Sequence, residues 1–131
     1  MPRYKFFMGR VHMFQDRDLE AEECLSYALR YCPMRSVANR RMILQYLVPV
    51  KLLLGSQPHP LLLSRYDLPE LAALALAVRR GDIRSFNECM SANQVAFVQQ
   101  GVYLVLEKLK LLVYRNLFKR VAMLDISRGE A

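Results

Sequence analysis

Between Gly101 and Arg120 the sequence is apolar on almost every side of a helix, yet it carries a basic stripe. At about 100° per residue, Lys108, Arg115 and Lys119 fall on one narrow line, flanked by Asn116 and Arg120. Leucines, valines and aromatics fill the remaining faces. A helix that apolar requires packing partners on most sides. The rest of the chain must supply them, or another chain must.

The signal elsewhere is also helical, with no alternating strand pattern between turn signals. Residues 3–14 read as a helix, and Asp16-Arg17-Asp18 as a turn. Leu19–Cys32 follows, with Asp18 as N-cap and Pro33 just past the end. Gly9, Ala21, Leu25, Ala28 and Pro33 stand at tetratricopeptide-repeat spacing, where small residues let antiparallel helices approach. His12 occupies the usual tyrosine-type position, and a single unit matches. Residues 36–54 form a third helix that Pro49 should kink. The breaker cluster 55–60 leads into a short helical turn, Leu61–Tyr66. Asp67-Leu-Pro-Glu70 has the form of a capping box opening a helix over Leu68–Arg80. Gly81 stops it, and Asp82 caps a helix over 83–91. The last helix is expected to run unbroken from near Asn93 to about Leu124, with a frayed tail over 125–131. Short helices joined by short turns give an all-α, right-handed helical-repeat solenoid of the TPR/HEAT kind.

Composition narrows the function classes. Apolar residues make up 53% of the 131 residues, which supports a real core. The net charge of +7 comes mostly from arginine, fourteen against five lysines. Cys24, Cys32 and Cys89 cannot all pair and contain no C-x-x-C, which fits free thiols in a reducing compartment. Lys5, Arg10 and Asp16 break any signal peptide, and no uncharged apolar run is long enough to span a bilayer. The expectation is an intracellular protein, soluble or peripheral.

Catalysis finds little support. His12 and His59 lie outside any H-E-x-x-H, and no phosphate-binding or nucleophile-elbow motif occurs. Cys24 and Cys32 lie too far apart along one helix to hold a metal without further ligands. The acids Asp16 to Glu23 read as a solvated helix start. No catalytic, cofactor-binding or metal-ligating residue is therefore assigned. Two basic patches remain. One is Arg30, Arg35, Arg40 and Arg41; the other is Lys108, Lys110, Arg115, Lys119 and Arg120. Either suits phosphates or an acidic peptide. Either also suits a solvated face whose long stems cover apolar neighbours. Arg40, Arg41, Lys108, Arg115, Lys119 and Arg120 are the candidate surface for nucleic acid or an acidic partner.

Several strings add a family resemblance. They are Tyr4 to Phe14 (Y-K-F-F-M-G-R-x-x-M-F), Glu22-Glu-Cys-Leu-Ser26, Asn39-Arg-Arg-Met-Ile-Leu44 through Pro58, and Leu106-Glu-Lys-Leu-Lys110 with Tyr114-Arg-Asn-Leu-Phe-Lys119. Over about Tyr4–Met123 the chain resembles the PCI-domain proteins of the TREX-2 nuclear mRNA-export complex, the PCI-domain-containing protein 2 group. The resemblance implies a helical array feeding a winged helix, and the sequence stops at Ala131, so residues 1–124 are expected to be the helical-repeat portion with the winged helix absent. It also implies a non-enzymatic scaffold without cofactors that couples transcription to nuclear mRNA export. The implied partners are a Sac/GANP-type scaffold, a small acidic Dss/Sem-type protein, and RNA or DNA. The implied location is the nucleus and nuclear pore, with some cytoplasmic protein. PCI subunits of the proteasome lid, the signalosome or the translation-initiation scaffold share the fold and form the alternative. Apolar surface on the last helix is expected to favour association.

Overall fold

A computed structural model describes residues 2–129, and all its regular structure is helical. The helices are α1 (Pro2–Phe14), α2 (Asp18–Arg30), α3 (Val37–Leu53), α4 (Pro60–Arg65), α5 (Pro69–Arg80), α6 (Ile83–Ala92), α7 (Gln94–Gln100) and α8 (Tyr103–Gly129). Within the first unit, α1, α2 and α3 pack in the repeat-like manner the sequence implies. The chain divides into two compact units, residues 1–72 and 73–131, with the division inside α5. None of the described helices is long and apolar enough to cross a membrane.

In the first unit, α1 and α2 form an antiparallel pair, and α3 packs on α2. Gly9 sets the first contact. A Cβ there would stand 2.7 Å from Leu25 Cγ and 3.4 Å from Cys24 Cβ. Ala21, Leu25 and Ala28 are all fully buried, as the repeat spacing requires. Ala28, Cys32 and Ile43 continue this core, with Phe6 and Leu29 packed against them. Edge-to-face contact of Phe6 with Tyr46, at 5.6 Å between centroids, ties α1 to α3. The Arg10 guanidinium covers the Tyr46 ring at 4.8 Å. Lys51 of α3 pairs with Glu22 of α2 at 3.2 Å. The helix α3 runs on through Pro49 and buries most of its second half.

In the second unit, α8 packs on α6 and α7. Phe86, Met90 and Phe97 on α6 and α7, and Val105, Leu106, Leu109 and Val113 on α8, are all buried. Gly81 lies at φ +67°, and a Cβ on it would stand 2.7 Å from Leu117 Cα and 2.8 Å from the Asn116 carbonyl carbon. The turn after α5 therefore presses directly on the backbone of α8.

Five helix ends share one closing device. At Asp16, Gly55, Asp67, Gly81 and Gly101 the backbone turns left-handed. In each case two amides on the far side bond back to the last helical turn, as Leu68 N–H to Leu63 C=O at 2.9 Å and Asp82 N–H to Ala77 C=O at 3.0 Å. Glycine takes this conformation without strain, whereas Asp16 and Asp67 carry a side chain through it.

Some elements differ from the sequence reading. Asp18 is the first residue of α2 and not its cap; the cap position holds Arg17, without a side-chain bond. Asp67 ends α4 and does not open α5. The helix expected from Asn93 onward is two helices, because Gly101 turns left-handed at φ +78° and separates α7 from α8. Finally, α8 carries on past Leu124 to Gly129, so the expected tail is helical up to that residue, and residues 130 and 131 lie outside the described ones. The expected Asp82 cap is present. Its carboxylate accepts from the Ser85 N–H at 3.1 Å and the Ser85 hydroxyl at 2.8 Å.

Candidate interaction surface

The cations singled out by sequence are divided by the structure into two groups. Arg40 donates from Nε to the Tyr66 hydroxyl at 2.8 Å, and from Nη1 to the carbonyls of Leu29 at 3.0 Å and Cys32 at 2.8 Å. Those carbonyls belong to the end of α2, where a helix leaves acceptors unsatisfied and carries partial negative charge. Arg41 does the same for α4, donating from Nε to Tyr66 C=O at 3.1 Å and from Nη2 to Asp67 C=O at 3.2 Å. Arg120 donates from Nη1 to Arg80 C=O at 3.0 Å, at the end of α5. Asn116 donates beside it to Val78 C=O at 2.6 Å. Three of the six candidate cations thus clasp helix C-termini within their own unit. Sequence could not show this, because the helix-end acceptors are main-chain carbonyls outside the helix that carries each cation.

Lys108, Arg115 and Lys119 form the second group. They lie in a row along α8, with Lys108 half-buried and the other two exposed. Beside them runs a feature the sequence reading did not separate from the general apolarity of the helix. Leu104, Leu111 and Phe118 recur every seven residues and are 73%, 76% and 69% exposed. Tyr114 falls between Leu111 and Phe118, and Val121 follows Phe118, both exposed on the same face. Glu107, exposed, occupies the corresponding place between Leu104 and Leu111. The core face of α8, Val105, Leu106, Leu109 and Val113, lies on the opposite side. This helix therefore has two apolar faces, and the signal available in the sequence was the alternating three- and four-residue spacing of the outer one.

A separate cleft of about 810 Å³ opens in the first unit, lined by Tyr4, Phe6, Tyr31, Cys32, Met42 and Ile43 among others. Its lining is mostly apolar and brings no acid–base pair together. Cys24 and Cys32 are buried free thiols, and Cys89 is half-buried. His59 accepts from Leu61 N–H through Nδ1 at 3.1 Å and so caps α4. His12 buries Nδ1 without a hydrogen-bond partner. Among the described residues no cluster of His, Cys, Asp or Glu is arranged to hold a metal.

Perturbed ionisations are local. Hydrogen bonds from Ser85 hold the Asp82 carboxyl below the usual carboxylate range. Burial, reinforced by Glu20, pushes the Asp18 carboxyl up. A hydrogen bond to Glu107 pushes the Tyr103 phenol up. These three groups belong to helix ends and a helix surface.

Residues 1–66 match a family described as PSMD3-like, N-terminal TPR repeats. The chain belongs to that family. Over about nine-tenths of its length it is also homologous to proteins named PCI domain-containing protein 2, which bears out the resemblance read from its strings. The Drosophila melanogaster homolog is 48% identical over 118 residues, covering 90% of this chain and 30% of that protein. The Xenopus laevis protein is 44% identical over 121 residues, covering 92% of this chain and 30% of the relative. Enhanced ethylene response protein 5 of Arabidopsis thaliana is 43% identical over 118 residues, covering 90% and 29%. The chain spans less than a third of the length of these relatives.

Proposed function

We propose that this chain serves as a non-enzymatic scaffold segment in nuclear mRNA export, working as a PCI subunit of a TREX-2-type complex. The observation that carries the reading is the similarity to PCI domain-containing protein 2 over about 90% of the chain, joined to an all-helical architecture with an apolar outer face on α8. Burial of such faces supplies affinity, and arginines and lysines at the rim supply register. In this reading the partners are a Sac/GANP-type scaffold and a small acidic Dss/Sem-type protein, with RNA or DNA as a further contact, and the site of action is the nucleus at the pore.

The test is retrieval from cells of a tagged form of the protein, with its associated chains identified by mass spectrometry. Recovery of the export scaffold and pore components supports the proposal. Recovery of proteasome-lid, signalosome or initiation-factor subunits in their place overturns it in favour of another PCI assembly.

A further inference from the structure

The outer face of α8 has the register of a coiled-coil seam. With Leu104 assigned to position a, Leu111 and Phe118 are a positions, and Glu107, Tyr114 and Val121 are d positions. From Leu104 to Val121 the seam is about 26 Å long at 1.5 Å per residue. Its apolar side chains stand mostly in solvent. A solvated helix face has no physical need for an apolar row in this register, since a polar one would cost less.

The flanking charges select what can lie on it. Lys108 and Arg115 are e positions, Lys119 lies just outside them, and Lys110 is a g position on the other flank. Parallel pairing brings e against g, and antiparallel pairing brings e against e and g against g. A second copy of α8 would therefore set cation against cation in either direction. Parallel self-pairing would also bring Glu107 against its own counterpart. A helix with acids at its flanks meets the same positions with opposite charge, which gives both register and partner choice.

We infer that α8 is a docking strip for one amphipathic helix of a partner protein, with leucine-type residues at its seam and glutamate or aspartate at its flanks. The inference rests on the scaffold reading above and names the chemistry of one of its contacts. Glu107, alone in the seam, fixes the register by favouring a cationic or amide side chain opposite.

The probe is a synthetic peptide of about three heptads, with leucine at a and d except for one asparagine placed to face Glu107, and glutamate at e and g. Its glutamates repel, so it stays unpaired by itself. Binding to the full chain is read by fluorescence anisotropy. The peptide should bind, and should weaken about tenfold when Arg115→Glu and Lys119→Glu are combined. Phe118→Asp should abolish binding while leaving the circular dichroism spectrum unchanged, because that side chain is outside the core. A peptide with lysine in place of every glutamate should fail to bind. Equal binding of the lysine peptide, or no binding of the acidic one, overturns the inference. So does a dimer of the chain that Phe118→Asp dissolves, since the occupant would then be a second copy. Single-stranded RNA that binds through Arg115 and Lys119 and is indifferent to Phe118→Asp, with no peptide binding, assigns the strip to nucleic acid instead. Failure of the peptide leaves the export reading standing, and failure to recover the export complex leaves the peptide result standing.

Discussion

Gly81→Ala should be among the most damaging single-methyl changes in the chain. Two effects add. The residue lies at φ +67°, where a Cβ costs about 1–2 kcal/mol. The new methyl would also lie 2.7 Å from Leu117 Cα and 2.8 Å from the Asn116 carbonyl carbon. Both obstacles are backbone, so relief requires shifting the α5–α6 turn or α8 itself, an overpacking cost of about 1–3 kcal/mol. The same shift strains the Asn116–Val78 hydrogen bond, 2.6 Å long and worth about 1 kcal/mol. Alanine returns about 0.4–1 kcal/mol by stiffening the unfolded chain. The balance is a loss of about 3–5 kcal/mol, or a fall in Tm on the order of 10 °C or more. Gly55→Ala is the matched control. Gly55 has φ +83° with nothing within 4 Å of the added carbon, so only the backbone penalty of about 1 kcal/mol remains. Urea denaturation followed by circular dichroism compares the two. If Gly81→Ala falls within about 1 kcal/mol of Gly55→Ala, the close approach of α8 is not what the structure says it is.

Four further outcomes follow from the same physical effects. Arg40→Ala takes the guanidinium donor from the Cys32 carbonyl and the buried Tyr66 hydroxyl, and leaves the Leu29 carbonyl only the Cys32 N–H at 3.3 Å; it should cost about 2–4 kcal/mol. Arg40→Lys should recover little, because a single ammonium cannot reproduce the fork. Arg115→Ala should stay within about 0.5 kcal/mol of the parent in the same denaturation assay. Gly9→Ala overpacks Leu25, but the obstacle is a side chain and alanine favours the helix, so the net loss should be about 1 kcal/mol by thermal melting. In acid two carboxylates act oppositely. The depressed Asp82 gives stability that is present above its unfolded value and lost as pH falls through its lower folded value. The raised Asp18 gives stability that is present below its unfolded value and lost as pH rises through its folded one. Urea midpoints at about pH 3 and pH 7 should show Asp82→Ala harmful mainly at the higher pH, and the balance between Asp18→Asn and the parent moving toward the parent as pH falls.

Most of the helices were legible because proline, glycine and aspartate punctuate them. The Asp82 cap was readable since its acceptor and donors lie within three residues. Gly101 was not, because the apolar pattern continues on both sides and periodicity carries no mark of a left-handed residue. Asp67 was misplaced for a related reason. A capping-box spelling and a helix-ending aspartate look alike until the backbone angle is known. The candidate surface was half legible. The line through Lys108, Arg115 and Lys119 follows from helical geometry alone. The work of Arg40, Arg41 and Arg120 depends on which helix ends come near them, and main-chain carbonyls leave no trace in a sequence. Nor could sequence say which apolar face of α8 is core, since α6 and α7 decide that.

The clasped guanidiniums also change how the protein's charge should be counted. A net charge of +7 describes the field at a distance. Counterion release counts only cations that reach a phosphate. With Arg40, Arg41 and Arg120 turned onto helix ends, the candidate set offers at most Lys108, Arg115 and Lys119 to a nucleic acid. The logarithm of affinity for a single strand should then fall with the logarithm of salt at a slope of about −2, where six available cations would give about −4. If the candidate set were to meet a nucleic acid, that contact should be only weakly salt-sensitive.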